Sequence, residues 1–319
     1  MFLTVTLNAA MDKTLQVANL QIGLRHRCAP GLVEPGGKGI NVARGLKALG
    51  EPVIATGLAG GRTGVQIVDA LADQGLLNDF QRIRNESRTT TVLVDMIGAT
   101  SRPTEIVEYG PAVSDEECTQ LWERFSYLLG GATTVVLSGS LPRRVGEEWY
   151  ATAIREARRR GIPTVLDSEG QPLRLGVAAE PDLVAPNQAE AEELAGFEFA
   201  NESDFSMGLD TIVGLGARAA IITRDSGCVA LLREGQVMHR LVATGPTLEP
   251  ISRAGSGDAL LAGYLAARRA GRGTADALRQ GVACGAASTQ TQVAGAFDPR
   301  EAGVLAAKVR IDELAAVSA

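Results

Sequence analysis

Short apolar runs alternate with amphipathic stretches along most of the chain. The apolar runs, which predict strands, lie at about 2–7, 53–58, 134–138, 164–167, 182–186 and 219–223. The amphipathic stretches, which predict helices, lie at about 40–49, 63–74, 115–129, 147–160, 188–195 and 205–215. Such alternation predicts an α/β fold with a mostly parallel central sheet flanked by helices. Continuous apolar runs such as 135–137 are typical of strands buried on both faces.

Two stretches break this alternation. Residues 14–35 and 88–110 contain β-type segments, such as Thr89–Val94, with no helix between them, and they predict a small separate sheet. Beyond Asp258 the pattern predicts helices only. Because the chain shows no repeat and no low-complexity linker, we predict that residues 1–319 form one domain, and 45% apolar residues are ample for its core.

A glycine-rich turn, Gly255-Ser256-Gly257, leads directly into one of the predicted helices. The free N–H groups and the positive dipole of a helix N-terminus bind anions, and small residues let a phosphate approach the backbone. Asp258 follows at once. From this turn alone, Asp258 is either a helix cap or a carboxylate that accepts a proton beside a bound phosphoryl group.

Composition narrows the classes of partner. The chain has 31 basic and 37 acidic residues, a net charge of −6, and therefore no basic field for nucleic acid or an anionic membrane. Its four cysteines are scattered without a Cys-x-x-Cys pair, which argues against a disulfide framework or a zinc site and favours a reducing cytoplasm. With no charged leader and no apolar run of about 18 residues, we expect a soluble, unexported protein.

Two motifs together resemble the signatures of the ribokinase-like (PfkB) sugar kinases. Residues 255–263, Gly-Ser-Gly-Asp-Ala-Leu-Leu-Ala-Gly, are similar to the C-terminal signature. Residues 34–44, Glu-Pro-Gly-Gly-Lys-Gly-Ile-Asn-Val-Ala-Arg, resemble the N-terminal signature of the phosphofructokinase branch. The resemblance implies a ribokinase-like fold, a small-sheet lid that pairs two subunits into a homodimer, and the use of ATP and Mg²⁺. It implies Asp258 as catalytic base, with Gly255, Ser256 and Gly257 stabilising the transferred phosphoryl group.

The sugar side of the site is also implied by this resemblance. Asp12, which could otherwise be a surface turn residue, lies in a segment similar to the family's Asn-Pro-Ala-x-Asp, although Ala9 replaces the proline. Gly37, Lys38 and Asn41 belong to the region that meets the sugar phosphate. The glycines around Lys38 do not form a P-loop, because the required Gly-Lys-[Ser/Thr] spacing is missed.

Further residues are placed on the substrate side. Arg88 and Arg25 are implied to serve the phosphate of the sugar, and Ser138 lies in a Ser-Gly-Ser-Leu-Pro segment at the rim of the site. Asp167, at the end of a predicted strand, fits a capping role and a role near the site equally well. Residues 104–111 are similar to the Thr-Glu-Ile-x-Glu-x-Gly-Pro segment of the fructose-1-phosphate and tagatose-6-phosphate kinases.

On the nucleotide side, some residues match the motifs of the family and others differ from them. Asn187 and Glu190 have the spacing of a capping box, and the family uses the same pair to position magnesium, largely through water, so both roles can coexist. The nucleotide is expected at Thr223, Gly227, Arg253 and Gly257. The family usually has lysine where Ala185 stands, a longer loop at 223–227, and threonine in place of Arg253. Either Arg224 or Arg253 compensates for the missing charge, or the use of the phosphate donor is weakened or altered.

These expectations give a leading function and its alternatives. The leading function is an ATP-dependent kinase that phosphorylates fructose 1-phosphate at the 6-hydroxyl, giving fructose 1,6-bisphosphate and ADP. Fructose 6-phosphate and tagatose 6-phosphate are the alternative acceptors. A catalytically weak member that binds a sugar phosphate is an alternative of a different class.

Overall fold

The computed structural model describes residues 1–29, 31–97 and 103–318. Residue 30 and residues 98–102 of the two predicted lid segments lie outside the described residues. The strands are β1 (Phe2–Thr6), β2 (Ala10–Val17), β3 (Val33–Gly36), β4 (Val53–Gly60), β5 (Asn78–Ile83), β6 (Arg88–Asp95), β7 (Thr104–Val107), β8 (Thr134–Ser138), β9 (Thr164–Asp167), β10 (Leu183–Val184), β11 (Ala220–Arg224), β12 (Gly227–Glu234), β13 (Val237–Thr244) and β14 (Arg310–Ser318). The helices are α1 (Lys38–Ala48), α2 (Gly61–Asp73), α3 (Asp115–Leu129), α4 (Trp149–Arg159), α5 (Gly170–Val177), α6 (Gln188–Ala195), α7 (Glu202–Gly214), α8 (Ser256–Arg269), α9 (Thr274–Ser288) and α10 (Pro299–Ala306).

Over the described residues, the main sheet has ten strands in the order β14-β13-β12-β11-β10-β9-β8-β1-β4-β5. The strands from β11 to β5 are parallel, and β12, β13 and β14 add an antiparallel edge. The chain passes from β1 to β4 and β5 on one side and then returns to β8 on the other side of β1. This reversal leaves a crevice at the carboxyl ends of β1 and β8, where open α/β sheets bind their ligands.

Helices cover both faces of this sheet, because its central strands are apolar on both sides. In β8, Val135 and Leu137 pack into the core beneath α3 and α4, whereas Val136 packs into the core beneath α1, α8 and α9. The same alternation holds in β11, where Ala220 and Ile222 face the first core. The predicted α/β fold with a mostly parallel central sheet flanked by helices is therefore confirmed.

A second, four-stranded sheet of described residues, sheet B, has the order β3-β2-β6-β7. It comes from the two stretches without predicted helices, but β2 begins at Ala10, earlier than the predicted boundary at residue 14. Asp12 is paired in register with Glu34 and Thr90, so these three side chains share one face of sheet B. That residues 1–319 form one domain with sheet B as its lid stays a prediction.

The C-terminal region corrects the expectation of helices alone. Residues 310–318 form β14, which pairs antiparallel with β13 and completes the edge of the main sheet. Their sequence, Arg-Ile-Asp-Glu-Leu-Ala-Ala-Val-Ser, carries no clear alternation of period two, so the exposed edge of β13 decides the outcome. Strands β12 and β13 were also not predicted. Within the described chain, no helix combines the length and apolarity needed to cross a bilayer.

Candidate active site

Three helices begin at the carboxyl edge of the main sheet, around the crevice beside β1 and β8. They are α1, α6 and α8. Helices α1 and α8 begin directly after Gly37 and Gly255, and neither of these two helices has a side chain that caps its first N–H groups. Gly255 has φ of +73°, and a Cβ there would lie 2.4 Å from the backbone N of Gly295, so the turn requires glycine. Gly257, by contrast, would bring a Cβ no closer than 3.8 Å to Thr223 Oγ1, which leaves room for an anion.

Asp258 lies in the first turn of α8 and is fixed from α1. Its Oδ2 accepts a hydrogen bond of 2.8 Å from Nδ2 of Asn41, and both residues are buried. Arg44, one turn further along α1, donates to Asn41 Oδ1 at 3.0 Å and to the carbonyl oxygens of Pro35 and Ala294. The amide of Asn41 is thus held at both ends, so the orientation of the Asp258 carboxyl group is set by α1.

Lys38, the first residue of α1, bridges two carboxylates from different elements. Its Nζ donates to Oδ1 of Asp167 and to Oε1 of Glu190, each at 2.7 Å. Asp167 ends β9 and Glu190 lies in the first turn of α6, so the ion pairs join β9, α1 and α6. Sequence alone left Asp167 open between a capping role and a role near the site, and the structure places its side chain in this cluster.

Burial and charge set the protonation of this cluster. Burial, with the nearby Asp167, raises the pKa of Asp258 to about 7, although Lys38 and Asn41 act in the opposite direction. Burial lowers the pKa of Lys38, but Asp167 and Glu190 outweigh it and hold the pKa well above its usual value. Lys38 is therefore a permanent cation, whereas Asp258 changes charge near neutral pH.

The sugar side contains Asp12 and Arg88, both on the face of sheet B that looks onto the main body. Burial raises the pKa of Asp12, and a hydrogen bond to Thr90 and the charge of Arg88 oppose this. Arg88 Nε donates to the carbonyl oxygen of Asn8 at 3.1 Å. Asp12 and Arg44 line a cavity of about 280 Å³ beneath sheet B. The charges of Asp12 and Arg88 thus lie on the same face of sheet B.

Asn187 and Glu190 form a reciprocal capping box at the start of α6. Asn187 Oδ1 accepts from the N–H of Glu190 at 3.0 Å, and Glu190 Oε2 accepts from the N–H of Asn187 at 2.9 Å. The other oxygen of Glu190, Oε1, faces Lys38. The carboxylate of Glu190 therefore caps the start of α6 with one oxygen and accepts a hydrogen bond from Lys38 with the other.

The residues present fit a magnesium ion. Asp167 and Glu190 already converge on one cation, Nζ of Lys38, and magnesium is commonly bound by one or two carboxylates together with substrate phosphates. Among the described residues, no group of three or more acidic, histidine or cysteine side chains could hold a metal alone.

A wide cleft of about 860 Å³ lies on the other side of the glycine turn. Its lining includes Asn187, Thr223, Gly227, Arg253, Ser256 and Gly257, with Phe199 and Phe205 on one wall. The loop at 223–227 is a tight hairpin, because Arg224 pairs directly with Gly227 at the junction of β11 and β12. Ala185 is buried beneath this region and offers no charge.

The side chains of the two arginines in this cleft differ in their contacts and in their exposure to solvent. Arg224 donates to Glu202 Oε1 at 2.6 Å and lies 5.1 Å from the centre of the Phe205 ring, with 16% of its side chain exposed. The side chain of Arg253 is 60% exposed and meets only the exposed Asp225, at 3.3 Å, within the described chain. Arg253 is therefore the arginine with freedom to follow a ligand.

Two predicted substrate residues are not brought into the cluster. Ser138 is fully buried in β8, and its hydroxyl has no hydrogen-bond partner among the described residues. Arg25 is exposed on the connection between β2 and β3, without a hydrogen bond or ion pair to the described chain. Sequence reasoning in turn assigned no role to Arg44. Its position three residues after Asn41 on α1 was the available signal.

The sequence of this chain is similar to those of known carbohydrate kinases. The sequence profile of the pfkB family carbohydrate kinases matches residues 10–300. The chain belongs to this family. A 1-phosphofructokinase of Borreliella burgdorferi is 31% identical over 288 residues, which are 90% of this chain and 91% of the relative. Membership makes the chain a phosphotransferase that acts on an alcohol group of a carbohydrate and implies ATP as the phosphoryl donor.

Solved structures of the family superpose over nearly the whole chain. Phosphofructokinase-2 from Escherichia coli, in its tetrameric inhibited form, is 27% identical, with 96% of this chain and 98% of that chain covered and a TM-score of 0.85. The same enzyme in complex with fructose-6-phosphate is 26% identical, with the same coverage and a TM-score of 0.83.

Proposed function

We propose that this kinase phosphorylates the 6-hydroxyl of fructose 1-phosphate with ATP, giving fructose 1,6-bisphosphate and ADP. The observation that carries the proposal is the position of Asp258. Its carboxyl group is buried beside an uncapped helix N-terminus and hydrogen-bonded to Asn41, with a pKa of about 7. A carboxylate of this pKa accepts a proton at neutral pH more readily than an ordinary aspartate.

In the proposed reaction, the sugar phosphate lies between sheet B and the crevice. Asp12 binds sugar hydroxyls, and Arg88 and Lys38 attract the phosphate already present on the sugar. The free primary hydroxyl faces Asp258, which accepts its proton as the oxygen attacks the γ-phosphorus atom of ATP in line with the departing ADP oxygen. We keep three further residues in the proposed binding site for the sugar phosphate: Gly37, Ser138 and Arg25.

The glycine turn stabilises the transferred group. The N–H groups of Gly255, Ser256 and Gly257 and the dipole of α8 act on the equatorial oxygens of the phosphoryl group, where negative charge develops. Closure of sheet B excludes water, which otherwise competes with the sugar hydroxyl as acceptor.

Magnesium belongs to this proposal as the ion held at Asp167, Glu190 and Asn187. When bound with the nucleotide, it neutralises negative charge on the phosphates. The role of this chain is to supply Oδ1 of Asp167 and Oε1 of Glu190, which Lys38 holds at one point when the ion is absent. Oε2 of Glu190 remains with the N–H of Asn187 and keeps α6 in place.

Residues 104–111 favour fructose 1-phosphate, because they are similar to the corresponding segment of kinases for that sugar and for tagatose 6-phosphate. They run from the edge of sheet B to the crevice, where a Cβ on Gly110 would lie 2.2 Å from Asn8 Oδ1. The relative from Borreliella burgdorferi supports the same choice by its name. Fructose 6-phosphate and tagatose 6-phosphate stay the alternative acceptors, and one solved relative is in complex with fructose-6-phosphate.

The test is a coupled ADP-release assay with Mg·ATP and each of three acceptors: fructose 1-phosphate, fructose 6-phosphate and tagatose 6-phosphate. We expect a strong preference for fructose 1-phosphate. In Asp258→Asn, kcat should fall by about 10²–10⁴, since a general base is lost, while the midpoint of thermal unfolding does not fall. Activity of this variant within a few-fold of wild type would refute the assignment. Sugar-phosphate binding without turnover of any acceptor would favour the binding-module alternative.

On the donor side, Arg253 compensates for the lysine that Ala185 replaces. Arg253 lines the nucleotide cleft beside Ser256 and Gly257, and its side chain is largely exposed. Arg224 contributes less to the phosphates, since Glu202 and Phe205 hold it. Thr223, Gly227 and Gly257 line the same cleft and complete the proposed nucleotide site.

The protein acts as a homodimer through sheet B. Val33 and Ile106 lie on the face of sheet B opposite Asp12 and are 51% and 54% exposed, and apolar exposure on one face favours a protein partner. A solved relative is tetrameric. Sedimentation equilibrium should give a dimer for wild type and a monomer for Ile106→Asp; a wild-type monomer would contradict this.

The proposal also places the protein in the cytoplasm. The four cysteines form no disulfide bond, which suits a reducing compartment.

A further inference from the structure

A third cavity lies at the opposite edge of the main sheet from the candidate active site. It has a volume of about 750 Å³ and lies between the amino ends of the parallel strands and the C-terminal end of α8. Thr164 at the start of β9 lines it, whereas Asp167 at the end of the same strand belongs to the catalytic cluster. Three residues of strand span roughly 10 Å, so the two sites are separate.

Four arginines line this cavity, in a chain whose net charge is −6. Two of them are neutralised: Arg218 pairs with Asp182 at 3.2 Å, and Arg269 pairs with Glu51 at 3.1 Å. Arg233 and Arg268 have no ion pair with any described carboxylate, although Arg268 donates to the carbonyl oxygen of Arg272. The cavity therefore carries two positive charges that the chain does not balance directly.

The nearest remaining carboxylate does not change this balance. Glu234 lies close enough to Arg268 for the arginine to lower its pKa. Its Oε2, however, accepts from the N–H and the hydroxyl of Thr274, each at 2.9 Å, and so begins α9. Glu234 is thus engaged with a helix N-terminus and forms no ion pair with Arg268 within the described chain.

The floor of the cavity is apolar. Phe2, Val165, Leu183, Ala219 and Leu265 line it. Tyr264 also lines it, and its hydroxyl has no hydrogen-bond partner among the described residues. A pocket of this volume suits a small organic molecule, and apolar walls with a few convergent polar groups are typical of ligand sites.

From this combination, we infer that the cavity formed by the amino ends of β1 and β8–β11 and the end of α8 is a second binding site, for a small molecule that carries a phosphate group on an apolar body. Arg233 and Arg268 bind the phosphate, because the guanidinium group matches phosphate oxygens with two parallel hydrogen bonds. The apolar body lies on the floor, and Tyr264 donates its hydroxyl. This site takes no part in the proposed phosphoryl transfer.

The test measures the binding of phenyl phosphate by equilibrium dialysis on the full-length chain. Phosphate groups also bind in the active site, so the readout is the number of molecules bound per chain in wild type, Arg233→Gln/Arg268→Gln and Arg155→Gln/Arg300→Gln. The last variant is the matched control, because it removes two exposed arginines that form no ion pair with the described chain. We expect the cavity variant alone to lose one bound molecule, or to bind it at least tenfold more weakly.

Equal numbers bound to all three proteins would overturn the inference, and so would an equal loss in the control. Inorganic phosphate that binds this site as tightly as phenyl phosphate would overturn the apolar part of the ligand class. Arg233→Gln alone changes one exposed side chain on β12 and serves as the second variant if the double variant unfolds at a lower temperature.

Discussion

The two halves of the active site differ in how completely the protein builds them. On the proposed sugar and chemical side, Lys38, Asn41 and Asp258 are held by partners on four elements, β9, α6, α8 and α1. On the nucleotide side, a cleft of about 860 Å³ is lined by side chains such as Arg253, which is largely exposed. The comparison indicates that the protein alone fixes the side chains of Lys38, Asn41 and Asp258, whereas it leaves Arg253 free to adopt its position on a ligand.

Substitution of Lys38 should have the largest effect on the side of the site that the protein itself holds in place. In Lys38→Met we expect kcat/KM to fall by about 10²–10³, as for the loss of one charged group that positions the sugar phosphate. The unfolding midpoint should also fall without Mg²⁺, because Asp167 and Glu190 are left as neighbouring buried carboxylates. Added Mg²⁺ should then raise the midpoint of this variant more than that of wild type.

Lys47→Met is the control for the Lys38 experiment. Lys47 lies near the end of the same helix and donates to the carbonyl oxygen of Gln74, far along α1 from the cluster. Its kinetic constants should stay within a factor of about two of wild type. If Mg²⁺ raises the midpoints of wild type and Lys38→Met equally, Lys38 does not occupy the position of the metal.

The pH dependence of kcat/KM sharpens the account of the chemical side. Burial and Asp167 raise the pKa of Asp258 to about 7 in the free protein. The base must be unprotonated, so kcat/KM should be constant above pH 8 and should fall about tenfold for each pH unit below 7. A profile that stays flat down to pH 5.5 would contradict the assignment of Asp258 or its environment.

On the nucleotide side the expected effect is smaller. In Arg253→Ala we expect the KM for ATP to rise about tenfold, as for the loss of one charge-assisted hydrogen bond. The KM for the sugar phosphate should not change, and Arg253→Lys should recover part of the affinity. Arg224→Ala is the comparison: if it raises the KM for ATP more than Arg253→Ala does, the compensating charge is Arg224.

The sequence predicted the local structure around the candidate site where that structure depends on neighbouring residues. The glycine turn before Asp258 and the capping box at Asn187 and Glu190 depend on residues within four positions, and such patterns can be read directly. The pairing of Lys38 with Asp167 spans 129 residues, and no local pattern indicates which way these side chains point. The same holds for Arg44, whose partners include a carbonyl group 250 residues away.

The fold shows the same division. Strands buried in the centre of the sheet, such as β1 and β8, are continuous apolar runs in the sequence, and they were predicted close to their observed bounds. The antiparallel edge was missed, because β14 is fixed by its pairing with β13. An edge strand needs little intrinsic preference when a neighbour offers unpaired N–H and C=O groups.

Helix α8 has a consequence for anyone who engineers this enzyme. Its residues Asp258 to Ala267 are all buried, and the close approach of Gly263 to Cys284 leaves no space even for a methyl group. The helix that begins at the glycine turn is therefore also among the least tolerant parts of the core. Changes of donor preference are best sought at Asp225 and Ser226, the exposed residues of the tight hairpin at 223–227, where altered side chains cost little folding stability, and not along α8.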